Sequence, residues 1–528
     1  MSLTLEVLVV GGGIAGMNYA VQLADKAGGR KLRIRILSKA TVHESSSFHA
    51  QGGVAAAMCA EDPFEDHVRD TLAVGEGRND ADVVRLVVKE GPAVIRGLIG
   101  LGAHFDRDRG GALHLAREGG HRAARVVHHR DRTGEEIVRV LQQRVRDIPV
   151  IGTVMDQRVI ELLTEGEGAY RRCIGVRAVD LRTGDVVEHF AHVVILATGG
   201  AGRLFEHTTN PAGATGDGVA MGIRAGALTR DMAFVQFHPT ALFTGVPGTV
   251  GLVSEAVRGA GARLIGITGR PVMAGVHPMG DLAPRHIVAR AIHREMVRTG
   301  ARYVHLDAGP IGIERFCAEF PGIAALCRDT GLLPGRDLLP VMPAAHYLCG
   351  GLRTDSHGRT SIPGLYALGE CACSGLHGAD RLASNSLLEA LVIPRRAAET
   401  TWETRAPAAA PASQVIARDR LAKRPVEIVG RATAALTHAM TMHVGIVRKT
   451  EGLESALRVI NCIERQVLPI WHRRRWSPAL MDLRDLLVVA RSVTEAALHE
   501  PVSVGTHFLE EPEPYDRPMA HIPGGSIN

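Results

Sequence analysis

Long apolar runs are missing from this chain. Nowhere do 18 apolar residues follow one another, the length a helix needs to cross a bilayer, so no membrane span is expected. A buried-strand pattern begins within five residues of Met1 and leaves no room for a secretory signal, which makes the cytoplasm the expected location. Cysteine is scarce, eight in 528 residues, and no two stand in C-x-x-C spacing. The one close pair, Cys371 and Cys373, is a weak metal signal; no metal is expected and the thiols read as reduced. Charge of one sign never gathers. The 61 basic and 56 acidic residues give a net +5 spread along the chain, too dilute for a nucleic-acid face. A mild positive balance suits at most the gathering of an anionic substrate.

What is present reads as a soluble globular protein, 45% hydrophobic and 22% charged, and 528 residues call for two or three domains. Leu5–Val10 is a short β-branched run of the kind buried in a parallel sheet, followed by a glycine turn and a helical pattern over 17–27. Residues 33–37 read as the second strand of a βαβ unit. Two more strand-to-glycine junctions follow, HVVIL (192–196) before ATGG and GLYAL (364–368) before Gly369-Glu370. One nucleotide-binding domain assembled from distant segments, 1–234 plus 346–403, is therefore expected. Between them 235–345 changes character, with helical patterns such as 286–299 among Gly/Pro-rich connections, and reads as an inserted domain. Residues 404–413 read as a linker. Residues 414–500 read as a helical domain with amphipathic helices over 426–442, 453–467 and 479–498, and 501–528 as an irregular tail.

Gly11-x-Gly13-x-x-Gly16, with a strand before it and a helix after, is where a pyrophosphate approaches the backbone and meets a helix N-terminus; a purely structural turn is the alternative. The acid expected about 20 residues later for NAD is lacking, since the second strand ends in Ser38-Lys39. Glu370 could supply a ribose-binding carboxylate or be a solvated loop acid. The stretch Ser45 to Gly53 (SSSFHAQGG) suits backbone donors wrapped around a flavin ring, or an ordinary loop. Asp217 in TGDG is similarly open.

Ten motifs stand in order: GGGIAG (11–16), SSFHAQGG (46–53), ATGG (197–200), TGDG (215–218), QFHPTAL (236–242), SEAVRG (254–259), LAPRHIVARAI (282–292), PAAHYLCGG (343–351), GLYALGE (364–370) and GLHGADRLASNSLLE (375–389). Together they resemble the flavoprotein family that contains L-aspartate oxidase and the flavin subunits of succinate dehydrogenase and fumarate reductase. The resemblance runs over about 5–500. It implies an α/β, Rossmann-like FAD-binding domain with an inserted α+β capping domain and a C-terminal helical bundle. It also implies FAD contacts at Gly11, Gly12, Gly13, Ile14, Ala15, Gly16, Ser38, Lys39, Ser46, Ser47, Phe48, His49, Ala50, Gln51, Gly52, Gly53, Thr198, Gly199, Asp217, Glu370, Asn385, Ser386 and Leu387.

Within that family three places resemble the aspartate-oxidising members. Glu118, in REGGH, matches the acid used toward a substrate ammonium, which succinate and fumarate lack; a desolvated ammonium needs an anion beside it. The family's covalent flavin attachment uses a histidine five residues before the glutamine of A-Q-G-G; here that residue is Ser46 and His49 has the wrong offset, so noncovalent FAD is expected. The chain also ends near 528, without the longer C-terminal region of the membrane-complex subunits. The implied reaction is oxidation of L-aspartate to iminoaspartate by hydride transfer to flavin N5, with electrons passed to O2 or fumarate, at the start of quinolinate and NAD synthesis. A transient contact with quinolinate synthase follows from that pathway. A soluble fumarate reductase or succinate dehydrogenase type flavoprotein is the alternative.

Arg381 can hold a carboxylate bidentately. By resemblance His346 joins it, while His238, Ser254 and Glu255 hold the other end. Read alone, each histidine fits an ordinary core position. Arg285 matches the family's proton-transfer residue; because a guanidinium is a poor base, it shuttles a proton or acts electrostatically. Four departures stand out: His286 where an aspartate is common, which should loosen Arg285; Ala260 for a glutamate; Pro394 for a glycine, which should end or kink its helix; and no arginine in the segment before His507.

Overall fold

The computed structural model describes residues 4–59, 61–403, 410–418, 421, 427–473 and 476–510. Its centre is a five-stranded parallel sheet in the order Leu365–Ala367, Val193–Leu196, Leu5–Val10, Leu32–Leu37, Ile151–Val154. Helices cover one face and the antiparallel strands Gln157–Glu165, Arg172–Asp180 and Asp185–Phe190 lie against the other, which is why these strands are apolar throughout rather than alternating. Val10 pairs with Leu196 and Leu37, and Leu196 pairs with Ala367. The three glycine junctions thus end at one level, at the carboxyl edge where parallel α/β sheets bind ligands.

The helix Ile14–Asp25 packs on Asn385–Thr401, joining the two ends of the discontinuous unit. Pro394 neither ends nor breaks the second helix, which runs on to Thr401. A proline withholds its N–H from the carbonyl four residues back. Here the Asn18 amide nitrogen, from a neighbouring helix, donates to Leu391 O at 2.8 Å and reaches Ala390 O, the carbonyl the proline leaves without its helical donor, at 3.5 Å.

Residues Val235–Leu242 pair antiparallel with Leu339–Leu348, and Val304–Asp307 and Arg263–Ile265 extend that sheet. With the helix Arg285–Thr299 this segment has its own core, including Leu264, Val288, Ile292, Leu306, Phe316 and Val341. Gln157–Glu165, Arg172–Asp180 and Asp185–Phe190 form a meander whose edge is taken by Gln414–Arg418. The expected helical stretch at 414–500 therefore begins with a strand, because the β-branched Val415 and Ile416 find an open ladder. Of the expected linker, 404–409 lie outside the described residues.

The C-terminal helices Glu427–His443, Thr450–His472 and Pro478–His499 pack together and join the core beneath the main sheet. Residues 501–510 form no helix yet are docked, with Gly505 N donating to Glu76 and Thr506 N to Ala379 O; the rest of the expected tail lies outside the described residues. No helix among the described residues is long and apolar enough to cross a membrane.

Candidate functional site

A cleft of about 710 Å³ opens between the carboxyl edge of the parallel sheet and the Val235–Leu242/Leu339–Leu348 ladder. One wall carries Gly11, Gly12, Gly13, Ala15, Ser38, Lys39, Ser46 to Gly53, Thr198, Gly199, Asp217, Glu370, Ser386 and Leu387. The other end carries Glu118, His238, Ser254, Glu255, Arg285, His346 and Arg381. Three sequence-proposed cofactor residues stand off this wall. Ile14 is buried in the core, though its N–H meets Ser47 Oγ at 3.1 Å. Gly16 allows close packing, since a Cβ there would overlap Gly11 O. Asn385 is turned away: it bonds His67 Nε2 at 2.8 Å and donates to Thr71 Oγ1 at 3.0 Å.

The first wall fits a dinucleotide. Gly11 has φ +110°, and a Cβ on it would overlap the Ala197 carbonyl, so only glycine serves. The helix Ile14–Asp25 has no acid in its first turn, leaving its positive end for an anion. Lys39 is tied to Gly213 O at 2.7 Å, Thr215 Oγ1 at 3.1 Å and Asp217 Oδ2 at 3.0 Å. Burial pushes the Asp217 carboxyl up, but Lys39 and Arg158 outweigh it and hold it below the usual range. Glu370 is no solvated loop acid. It is half-buried, accepts from Leu348 N at 3.0 Å, and the desolvation of its carboxyl pushes its pKa up to about 7.

At the far end Arg285 donates to Glu255 Oε2 at 2.8 Å and to Gln236 Oε1 at 3.0 Å. Burial raises Glu255, but Arg285 and Arg258 more than reverse it. Arg381 donates to Gln236 Oε1 at 2.9 Å and Ser386 Oγ at 3.1 Å, and its guanidinium lies 4.6 Å from the Tyr347 ring centre. Among the described residues it has no carboxylate partner. Burial and the nearby Arg285 lower its pKa to about 10, so it remains charged at neutral pH. His238 and His346 stack edge to face at 5.1 Å, both held neutral by burial and by Arg285. His346 Nδ1 meets Thr209 Oγ1 at 2.7 Å. The buried His238 Nε2, Ser254 Oγ and Arg381 Nε have no hydrogen-bond partner among the described residues. Glu118 accepts from Ser384 Oγ at 2.6 Å, and burial followed by Glu255 raises its pKa. This end of the cleft thus brings together two cations, two neutral imidazoles and one acid with no ion-pair partner among the described residues.

Known proteins agree. The FAD binding domain family matches residues 6–387. The L-aspartate oxidase of Streptomyces coelicolor is 43% identical across 97% of this chain and 89% of its own length. L-aspartate oxidase 1 of Ralstonia nicotianae is 41% identical across 96% of each. The chain belongs to the L-aspartate oxidase family.

Its activity is the FAD-dependent oxidation of L-aspartate that serves NAD biosynthesis. Among solved structures, E. coli quinol fumarate reductase FrdA shares 28% identity at TM-score 0.85, covering 98% of this chain and 93% of that one. Mycobacterium smegmatis Sdh1 shares 31% at 0.79, covering 96% and 89%. The architecture is accordingly a mixed α/β fold with an FAD-binding domain and a helical C-terminal region. Three residues that touch the two cleft arginines stand outside the sequence-proposed set: Gln236, Tyr347 and Asp380. Gln236 stands two residues before His238 on one strand, a period-two pairing that points both the same way. His286 does not loosen Arg285. It lies between Asp380 Oδ2 at 2.7 Å and Glu76 Oε1 at 2.9 Å, and Arg285 is gripped by Glu255 and Gln236.

Proposed function

We propose that L-aspartate lies between Arg381 and Arg285 with its ammonium toward Glu118, against FAD held noncovalently along the glycine turn. The carrying observation is Arg381, a buried cation facing the cleft with no carboxylate of its own among the described residues. One substrate carboxylate takes that place through the guanidinium fork. His238, His346 and Ser254 offer neutral polar contacts to the other, with Glu255 fixing Arg285 rather than meeting the anion. Glu118, whose pKa is raised by burial and by Glu255, pairs with the ammonium and accepts its proton. Arg285 stands as a fixed positive charge beside the reacting carbon, an electrostatic rather than a basic role. FAD, when bound there, would supply the acceptor for the Cα hydrogen leaving as hydride, and with the ammonium proton passed to Glu118 the product is iminoaspartate.

Ser46 at the position of the family's flavin-linking histidine supports noncovalent binding. Electrons leave to O2 or to fumarate, whose two carboxylates match the same arginines. The separate core of 235–345 supports a capping domain over a discontinuous FAD-binding domain, 1–234 plus 346–403. Eight free cysteines suit the cytoplasm, and the instability of iminoaspartate favours transient contact with quinolinate synthase. Anaerobic titration tests the reading: L-aspartate bleaches the flavin and succinate does not, and acid precipitation frees all the flavin. Bleaching by succinate instead points to a dehydrogenase.

A further inference from the structure

The two guanidiniums at the substrate end are held by a single amide. Gln236 Oε1 accepts from Arg285 at 3.0 Å and Arg381 at 2.9 Å. Its Nε2 donates to Asp380 Oδ1 at 2.6 Å and to the Arg381 carbonyl at 2.8 Å. Both donors and both lone pairs of this side chain are thus engaged. Turned over, the amide would set an NH2 group against two guanidiniums and a carbonyl against a carboxylate.

Asp380 decides between these orientations. It is fully buried, and a buried carboxylate needs a countercharge. Arg381 N donates to Oδ1 at 3.0 Å, and the countercharge on Oδ2 is His286, with Nδ1 at 2.7 Å. The other His286 nitrogen meets Glu76 Oε1 at 2.9 Å, and Glu76 Oε2 accepts from Gly505 N at 2.9 Å. An imidazole with an acid on each nitrogen donates from both and so carries a proton on each. Burial opposes that charge, but Asp380 and Glu76 prevail and raise the His286 pKa to about 9. Arg290 is the further charge acting on both acids. An aspartate at 286 would oppose Asp380 directly, so in this chain His286 and Asp380 form a matched pair.

We propose that Gln236 is the positioning residue that sets the spacing and aim of Arg285 and Arg381, and that the chain Glu76, His286, Asp380 fixes which way its amide faces. This rests on the reading of both arginines as substrate partners. The test uses full-length, FAD-loaded enzyme, following steady-state turnover of L-aspartate and anaerobic flavin bleaching. Gln236→Met keeps the bulk and loses the amide; kcat/KM falls about 100-fold, the cost of small misplacements at a reacting centre, with the flavin spectrum of the folded variant retained. His286→Asp falls comparably. Adding Asp380→Asn to it restores kcat/KM to within about tenfold of the parent, since the new amide offers a carbonyl to Gln236 and a donor to the new acid.

A purely structural role predicts lost stability without that rescue. Parental kcat/KM in Gln236→Met, or a folded double variant no more active than His286→Asp, overturns the proposal. Should a single variant fail to fold, the double variant is judged against the parent: folded and active supports the proposal, folded and inactive overturns it. A parent that L-aspartate leaves oxidised refutes the substrate reading itself. A parent that turns over beside variants that match it refutes the positioning role alone.

Discussion

Ser384 donates its hydroxyl to Glu118 Oε2 at 2.6 Å from a left-handed backbone conformation, φ +61°. The same hydroxyl accepts from Gly53 N at 3.2 Å, so one side chain ties the 45–53 loop, the acid Glu118 and the start of the Asn385–Thr401 helix together. Ser384→Ala releases Glu118 from this hold. A hydrogen bond to a charged group contributes roughly 1.5–3 kcal/mol, so KM for L-aspartate should rise at least about tenfold while FAD stays bound. Steady-state kinetics check this, and an unchanged KM counts against the aim of Glu118 being set by Ser384.

Arg381→Lys keeps the charge and loses the fork. Bidentate pairing is what a lysine cannot supply. KM for L-aspartate should rise about 100-fold, on the order of 3 kcal/mol, with flavin content unchanged. Fumarate should lose affinity alongside it, because the same guanidinium meets both dicarboxylates. Competition between the two ligands in the variant measures this.

His286 makes stability depend on pH with a defined sign. Its folded pKa, about 9, lies above the ordinary 6.5, so the native state binds the extra proton more tightly. The contribution is complete below about pH 6.5, declines as pH rises, and is gone above about 9, a loss on the order of 3 kcal/mol shared with Asp380 and Glu76. Chemical denaturation of the parent and of His286→Asn at pH 6 and at pH 9.5 isolates this part. The gap between them should shrink at the higher pH; a constant gap contradicts it.

Asn18 and Pro394 should be coupled. Asn18→Ala leaves the Ala390 and Leu391 carbonyls buried without that donor, at a cost of about 1–3 kcal/mol. With Pro394→Ala also present, the helix regains an N–H for the Ala390 carbonyl, and the part of the cost that comes from that carbonyl should disappear while the Leu391 part stays. A double-mutant cycle on melting temperature reads the coupling; strictly additive effects refute it.

Much of this was legible because it is local. Apolar strands running into glycine turns mark the parallel sheet, and Arg285 and Arg381 stand inside recognisable runs of residues. What escaped is long-range. Gln236 meets Arg285 and Arg381 across 49 and 145 residues, and His286 meets Asp380 across 94, so no local pattern announces either partnership. Pro394 reads as a break by local rules, and the amide that reaches the deprived Ala390 carbonyl comes from 372 residues away. Asn385 stands beside Ser386 in sequence, but its amide is taken by His67 and Thr71, partners 318 and 314 residues away that no local pattern announces. The strand at Gln414–Arg418 is too short to announce itself without its partner Asp185–Phe190.

The central claim is that this cleft recognises an amino dicarboxylate, with Glu118 as partner of the ammonium. Anaerobic stopped-flow of the flavin absorbance, comparing the parent with Glu118→Gln, tests it most directly. The account predicts that bleaching by L-aspartate slows at least about 100-fold in the variant, the cost of removing the charge opposite a desolvated ammonium, while reoxidation of the reduced flavin by fumarate keeps its parental rate. Equal bleaching rates, or a matching loss with fumarate, would contradict it.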